Sequence, residues 1–126
     1  MKRLYIAIAF LVISIGLCIF EQYTVETTYK ETTAMINEAI EYTDKEEYEK
    51  AEKICTNLTD YWDKKYPVLS AMIDHGMLDE AGTTIYSLED MAREKSEDLH
   101  DNLITAKNQM KIVKENQRIS VGNIFW

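Results

Sequence analysis

Residues 48–62 read YEKAEKICTNLTDYW, and this stretch decides the fold class. Tyr48, Ala51, Cys55, Leu58 and Trp62 recur at steps of 3, 4, 3 and 4, which places all five on one face of an α-helix. Apart from Ile54, charged and polar residues fill the positions between them. A strand would need apolar residues at every second position, and no stretch of the chain follows that period. An amphipathic helix cannot bury its stripe alone, so partner helices are expected on either side.

Downstream, Val68, Leu69, Met72 and Ile73 extend the apolar face past Pro67, whose ring either kinks the helix or opens a new turn. Gly76 is expected to end the element. Asp79 reads as the N-cap of a third helix with Ile85, Leu88, Met91 and Ala92 inward, and Ser96 as the cap of a fourth. In that fourth helix Leu99, Leu103, Ala106, Met110 and Val113 repeat at steps of 4, 3, 4 and 3. Residues 119–126 lose the helical pattern, and Ile124-Phe125-Trp126 is apolar enough to predict docking on the bundle. Upstream, Asp44 is expected to begin the 48–62 helix, with Glu47 at capping-box spacing. An earlier helix from Thr24 to Thr43 carries a short stripe of Met35, Ile36, Ala39 and Ile40. Its first part, rich in threonine (Thr24, Thr27, Thr28, Thr32, Thr33), reads as a polar stalk that continues from the N-terminal segment. A striped helix, a capped break and a second striped helix occur near 36–62 and again near 88–113. The pattern predicts an all-α body of two antiparallel helix pairs, either a four-helix bundle or a tetratricopeptide-like stack.

The N-terminus reads differently. Lys2 and Arg3 precede Leu4–Phe20, an apolar run without charge, and Glu21 opens an acidic remainder. As a helix the run rises about 25 Å, near the lower limit for a bilayer core. Tyr5 and Tyr23 flank it where amphipathic rings favour the interface. A cleaved signal would need small residues after a shorter core. The apolar run continues past Ser14-Ile15-Gly16, and Leu17 spoils a lipidation signal at Cys18. The expectation is an uncleaved anchor in residues 1–22, contacting the membrane through residues 4–20, and a helical domain in residues 23–126. Basic residues on the short side place the N-terminus in the cytoplasm and the body outside the cell membrane.

Of 14 basic residues two precede the run, so 12 basic side chains face 22 acidic ones in the body, a net of −10. That balance opposes nucleic acid and anionic surfaces as partners. Cys18 and Cys55 cannot form a disulfide framework, and Cys55 falls on the apolar stripe. His75 and His100 have no second ligand at metal spacing, so no metal and no cofactor are expected. No phosphate loop or nucleophile elbow exists, and the carboxylates are scattered, so the chain does not read as an enzyme. Two clusters remain. Asp74, His75 and Asp79 surround a helix break, and Tyr61, Trp62 and Tyr66 bring rings close by. The candidate interaction surface is therefore Trp62, Tyr66, Asp74, His75 and Asp79.

The chain resembles the DUF4363 family of short bacterial proteins, a domain of unknown function. The resemblance rests on Lys2-Arg3-Leu4, Tyr48-Glu49-Lys50-Ala51-Glu52, Trp62-Asp63-Lys64-Lys65, Leu69-Ser70, Ile73-Asp74-His75, Asp79, Ser120 and Asn123-Ile124-Phe125. It implies a small, helical, single-anchor protein and supplies no catalytic residue. The resulting expectation is a module on the outer face of the membrane that binds another membrane or envelope protein. The alternative is an extracytoplasmic small-ligand sensor or carrier with a pocket near Trp62, Tyr66 and His75.

Overall fold

The computed structural model describes the backbone of residues 1–125 and the side chains of residues 1–115. Four helices follow in order: α1 (Lys2–Asp44), α2 (Tyr48–Ser70), α3 (His75–Arg93) and α4 (Leu99–Phe125). There is no strand among the described residues. Such short connections force consecutive helices antiparallel. α1 packs on α2 and α4, and α3 packs on the same two, while the diagonal pairs make no close backbone approach. The contact of α1 with α4 closes the ring, so the body is a four-helix bundle and not an open stack.

Ala51, Cys55, Leu58 and Trp62 are fully buried, and Tyr48 is partly covered. Leu99, Leu103, Ala106, Met110 and Val113 are all buried, as their spacing predicts. Burial pushes the Cys55 thiol up to about 12, with Glu89 and Glu52 adding to the effect, so it behaves as a small hydrophobe. Pro67 lies inside α2 without ending it.

Three helix boundaries differ from the sequence expectation. Asp44 belongs to the last turn of α1, not to the start of α2. The chain leaves α1 through Glu46 at φ 60°, with Glu46 N–H on Thr43 O and Glu47 N–H on Tyr42 O. These bonds form a Schellman turn, normally marked by glycine, and here a glutamate hides it. α3 ends the same way through Lys95 at φ 55°. Gly76 does not stop a helix. It sits in the first turn of α3, and the N-cap is Asp74, whose carboxylate accepts from Gly76 N–H, so Asp79 is an interior residue. Ser96 lies before α4, its Oγ accepting from Asp98 N–H in the turn that leads into the helix.

The polar stalk is also overturned. Thr24, Val25, Thr28 and Thr32 are buried on the stripe that Ile36, Ala39 and Thr43 continue. Thr32 Oγ1 donates to Thr28 O and Thr43 Oγ1 to Ala39 O, each at 2.7 Å. A threonine that satisfies its hydroxyl on its own helix offers a methyl group to the core. Residues 119–125 continue α4 in place of the expected loss of helix. The expected docking of residues 119–126 concerns side chains outside the described residues.

Below Thr24 the side chains of the same helix are exposed, apart from Cys18 and Glu21, which are partly covered. Its apolar window is unburied, Phe10 being 71% exposed, and α1 is the one described helix long and apolar enough to cross a membrane.

Candidate functional site

The turn 71–74 lays α3 back along α2, and the seam between them carries the rings. Trp62 is completely buried, and its indole edge lies under Gly82 of α3. A Cβ at position 82 would stand 3.0 Å from Trp62 Nε1, so a larger residue there would need the indole or α3 to give by a few tenths of an ångström. Trp62 Nε1 finds no acceptor there. One turn further along α2, the Tyr66 ring tilts against the indole with centroids 6.4 Å apart.

Two tyrosine–aspartate pairs tie the seam from opposite sides. Tyr66 of α2 donates its hydroxyl to Asp79 Oδ1 of α3 at 2.7 Å. Tyr86 of α3 donates to Asp63 Oδ1 of α2. The bond to Asp79 raises the Tyr66 hydroxyl above its ordinary value, and the bond to Asp63 pushes Tyr86 up to about 12. Both hydroxyls therefore remain donors at neutral pH. Between the pairs runs an open groove of about 220 Å³, with Leu78 and Gly82 in its floor and Thr83 at its rim. No basic side chain lines it. One carboxylate in the lining, Asp79, and a second, Asp63, bonded behind Tyr86, lie beside aromatic rings and make a surface that favours a cation or a donor-rich group.

The groove brings together three of the five residues singled out from sequence: Trp62, Tyr66 and Asp79. Asp74 and His75 do not line it. Asp74 is committed to capping α3, and His75 Nε2 donates to Ser70 O at 2.9 Å, satisfying a carbonyl at the C-terminal end of α2. His100 lies elsewhere, 3.6 Å from Asp44. Asp63, Gly82, Thr83 and Tyr86 were missed. Asp79, Gly82 and Tyr86 recur at steps of 3 and 4 beside the core stripe of α3, and that spacing was the available signal. A larger hollow, about 340 Å³, lies between the two Schellman turns, flanked by Glu46, Tyr48 and Lys95. Its walls are exposed charged side chains around the connection itself. No cluster of three or more metal-ligating side chains exists among the described residues.

The family model for a domain of unknown function, DUF4363, matches residues 19–124. The chain belongs to the DUF4363 family. The match covers α2 and α3 entire and so includes the groove, and it begins at Ile19, where the apolar run of α1 is ending. No curated protein and no solved structure matches the chain.

Proposed function

We propose that this DUF4363 protein is a membrane-anchored helical module that binds another membrane or envelope protein, with its N-terminus in the cytoplasm and the bundle outside. The observation that carries the reading is the unbroken course of α1. One helix of 43 residues joins an exposed apolar segment to a closed bundle without a hinge. A bundle held this way keeps a constant height and orientation relative to the lipid, which suits a docking platform better than a freely tethered catalyst. The α2–α3 groove offers the rings and carboxylates that anchor a partner.

The test is photocrosslinking in native membranes, with a photoreactive residue at Thr83 on the groove rim and, separately, at Asn108 on the exposed side of α4. One protein captured reproducibly from Thr83 and not from Asn108 supports the reading. No capture by a folded, inserted protein overturns it. Orientation is read independently. A cysteine introduced by Glu94→Cys reacts with an impermeant thiol reagent in intact cells when the bundle is outside, and only after lysis when it is inside.

A second reading has its own observation. The groove has rings, one carboxylate in its lining (Asp79), a second behind Tyr86 (Asp63) and no base of its own, so a small organic cation is the ligand class it would accept. Binding would perturb Trp62 emission and raise the melting temperature. A screen of organic cations without either response removes this reading.

A further inference from the structure

α4 is longer than α3, the shorter of the two helices it packs with. α3 has 19 residues and α4 has 27, so α4 overhangs the α2–α3 turn by about two turns of helix. Beyond that turn the one element left beside it is α1.

The antiparallel register of α1 and α4 is set by two contacts. At one end His100 Nε2 lies 3.6 Å from Asp44, and at the other Lys114 Nζ lies 3.7 Å from Glu26 Oε1 and 4.5 Å from the centre of the Tyr29 ring. Carried down the two helices, this register puts residue 125 at the level of residues 15–19 of α1. The charge pattern agrees. α1 carries no charge from Leu4 to Phe20, and the last charged residue of α4 is Arg118, at the level of residues 22–26. The two helices lose their charge at the same height. The base of the bundle reaches that height as well. Counted back from Asp44, the 23 residues of α2 bring Ser70 to the level of residue 22.

We propose that the end of α4, from Ile119 onward, enters the bilayer beside α1, so that the chain meets lipid with two helices and not one. The occupant of this surface is the acyl and interfacial region of the membrane that α1 crosses, and the inference rests on the anchor reading above. It also places the α2–α3 turn, with Asp74 and His75, at the headgroups.

The chain has two tryptophans, Trp62 and Trp126. Trp62 lies at the level of residues 27–30 of α1, about 10–15 Å above Phe20 and out of reach of acyl chains. The full chain is reconstituted in phosphatidylcholine vesicles with and without brominated acyl chains, alongside Trp126→Phe. The expected result is quenching of the wild-type emission by brominated lipid and its disappearance in Trp126→Phe. Wild-type emission that is the same in brominated and unbrominated lipid, with the chain still resisting alkaline carbonate extraction, overturns the inference and leaves the anchor standing. Extraction by carbonate removes the anchor reading and this inference with it.

Discussion

The two halves of α1 are one helix in two surroundings. Residues 4–20 are apolar and, Cys18 apart, uncovered, whereas the stretch from Thr24 to Thr43 places four threonines against the core and is enclosed by α2 and α4. Hydropathy alone would sort them the other way. Burial within the protein follows from which neighbours are within reach, and Thr32 and Thr43 enter the core with their hydroxyls taken by their own helix. The apolar half is almost bare of such neighbours among the described side chains, Cys18 alone being partly covered. By length and composition α1 is the one described helix that could cross a membrane.

The largest effect that separates the halves comes from truncating one isoleucine in each. Ile36 is fully buried, so Ile36→Ala is expected to cost about 2–5 kcal/mol of bundle stability. Ile13 is 61% exposed, so Ile13→Ala leaves the thermal melt unchanged. A charge inverts the pattern. Leu11→Arg disfavours insertion by about 3 kcal/mol at the centre of a span and releases the protein from membranes, while the bundle still melts at the wild-type temperature. Circular dichroism melts and carbonate extraction read the two properties separately. An equal loss of bundle stability from Ile13→Ala would break the comparison, because the lower half would then be packing on protein.

A smaller effect probes how the upper half tolerates its hydroxyls. Tyr61 is turned toward Thr28 across the α1–α2 seam, yet neither oxygen makes a well-formed hydrogen bond. Burial is the main cause that raises the Tyr61 hydroxyl above its ordinary value. A buried group left unsatisfied costs about 1–3 kcal/mol, and removing both partners of such a pair is neutral or favourable. Thr28→Val with Tyr61→Phe is therefore expected to stabilise the bundle by about 1 kcal/mol, measured as a higher melting temperature. A lower one would mean that the two hydroxyls are satisfied as a pair.

Much of this was legible in the sequence, and the failures share physical causes. Helices α2 and α4 were read because their stripes consist of unambiguous apolar residues at helical spacing. The upper half of α1 was misread because Thr24, Thr28 and Thr32 occupy the stripe, and threonine was counted as polar. The boundary at Asp44 was misread because the Schellman turn uses Glu46 where glycine would have marked it. The glycine that is present, Gly76, was taken for a stop when it lies in a first turn. The candidate site was half legible. Trp62, Tyr66 and Asp79 do meet, but Asp74 and His75, adjacent in sequence to a helix break, serve the break itself. The Tyr86–Asp63 pair crosses 23 residues, a pairing that appears only once α3 is folded back along α2.

Glu46 offers the next smaller effect, at the point where the upper half of α1 ends. A non-glycine residue in the left-handed region is strained by about 1–2 kcal/mol, and glycine returns part of that gain through its greater unfolded-state entropy. Glu46→Gly is expected to stabilise the bundle by less than about 1 kcal/mol in a denaturant titration, with no change in membrane retention. Destabilisation would show that the Glu46 side chain supports the turn by contacts that outweigh its backbone strain.

The smallest effect concerns tyrosine on the two seams of α2. Tyr61 faces a buried hydroxyl on the α1 side, whereas Tyr86 meets an exposed carboxylate on the α3 side. The bond to Asp63 moves Tyr86 from 10.0 to about 12, so the folded state binds this proton more tightly than the unfolded chain does. Its contribution to stability is complete below pH 10 and is lost as the pH rises toward 12. Because the side chain is 47% exposed, solvent screens most of the gain, and the slope should be shallow. Urea midpoints taken between pH 9 and 12 should fall less for Tyr86→Phe than for the wild type, and ultraviolet titration should lose its latest tyrosine in the variant. Identical slopes would mean that the Asp63 bond opens in solution, leaving that wall of the groove free to move when a partner arrives.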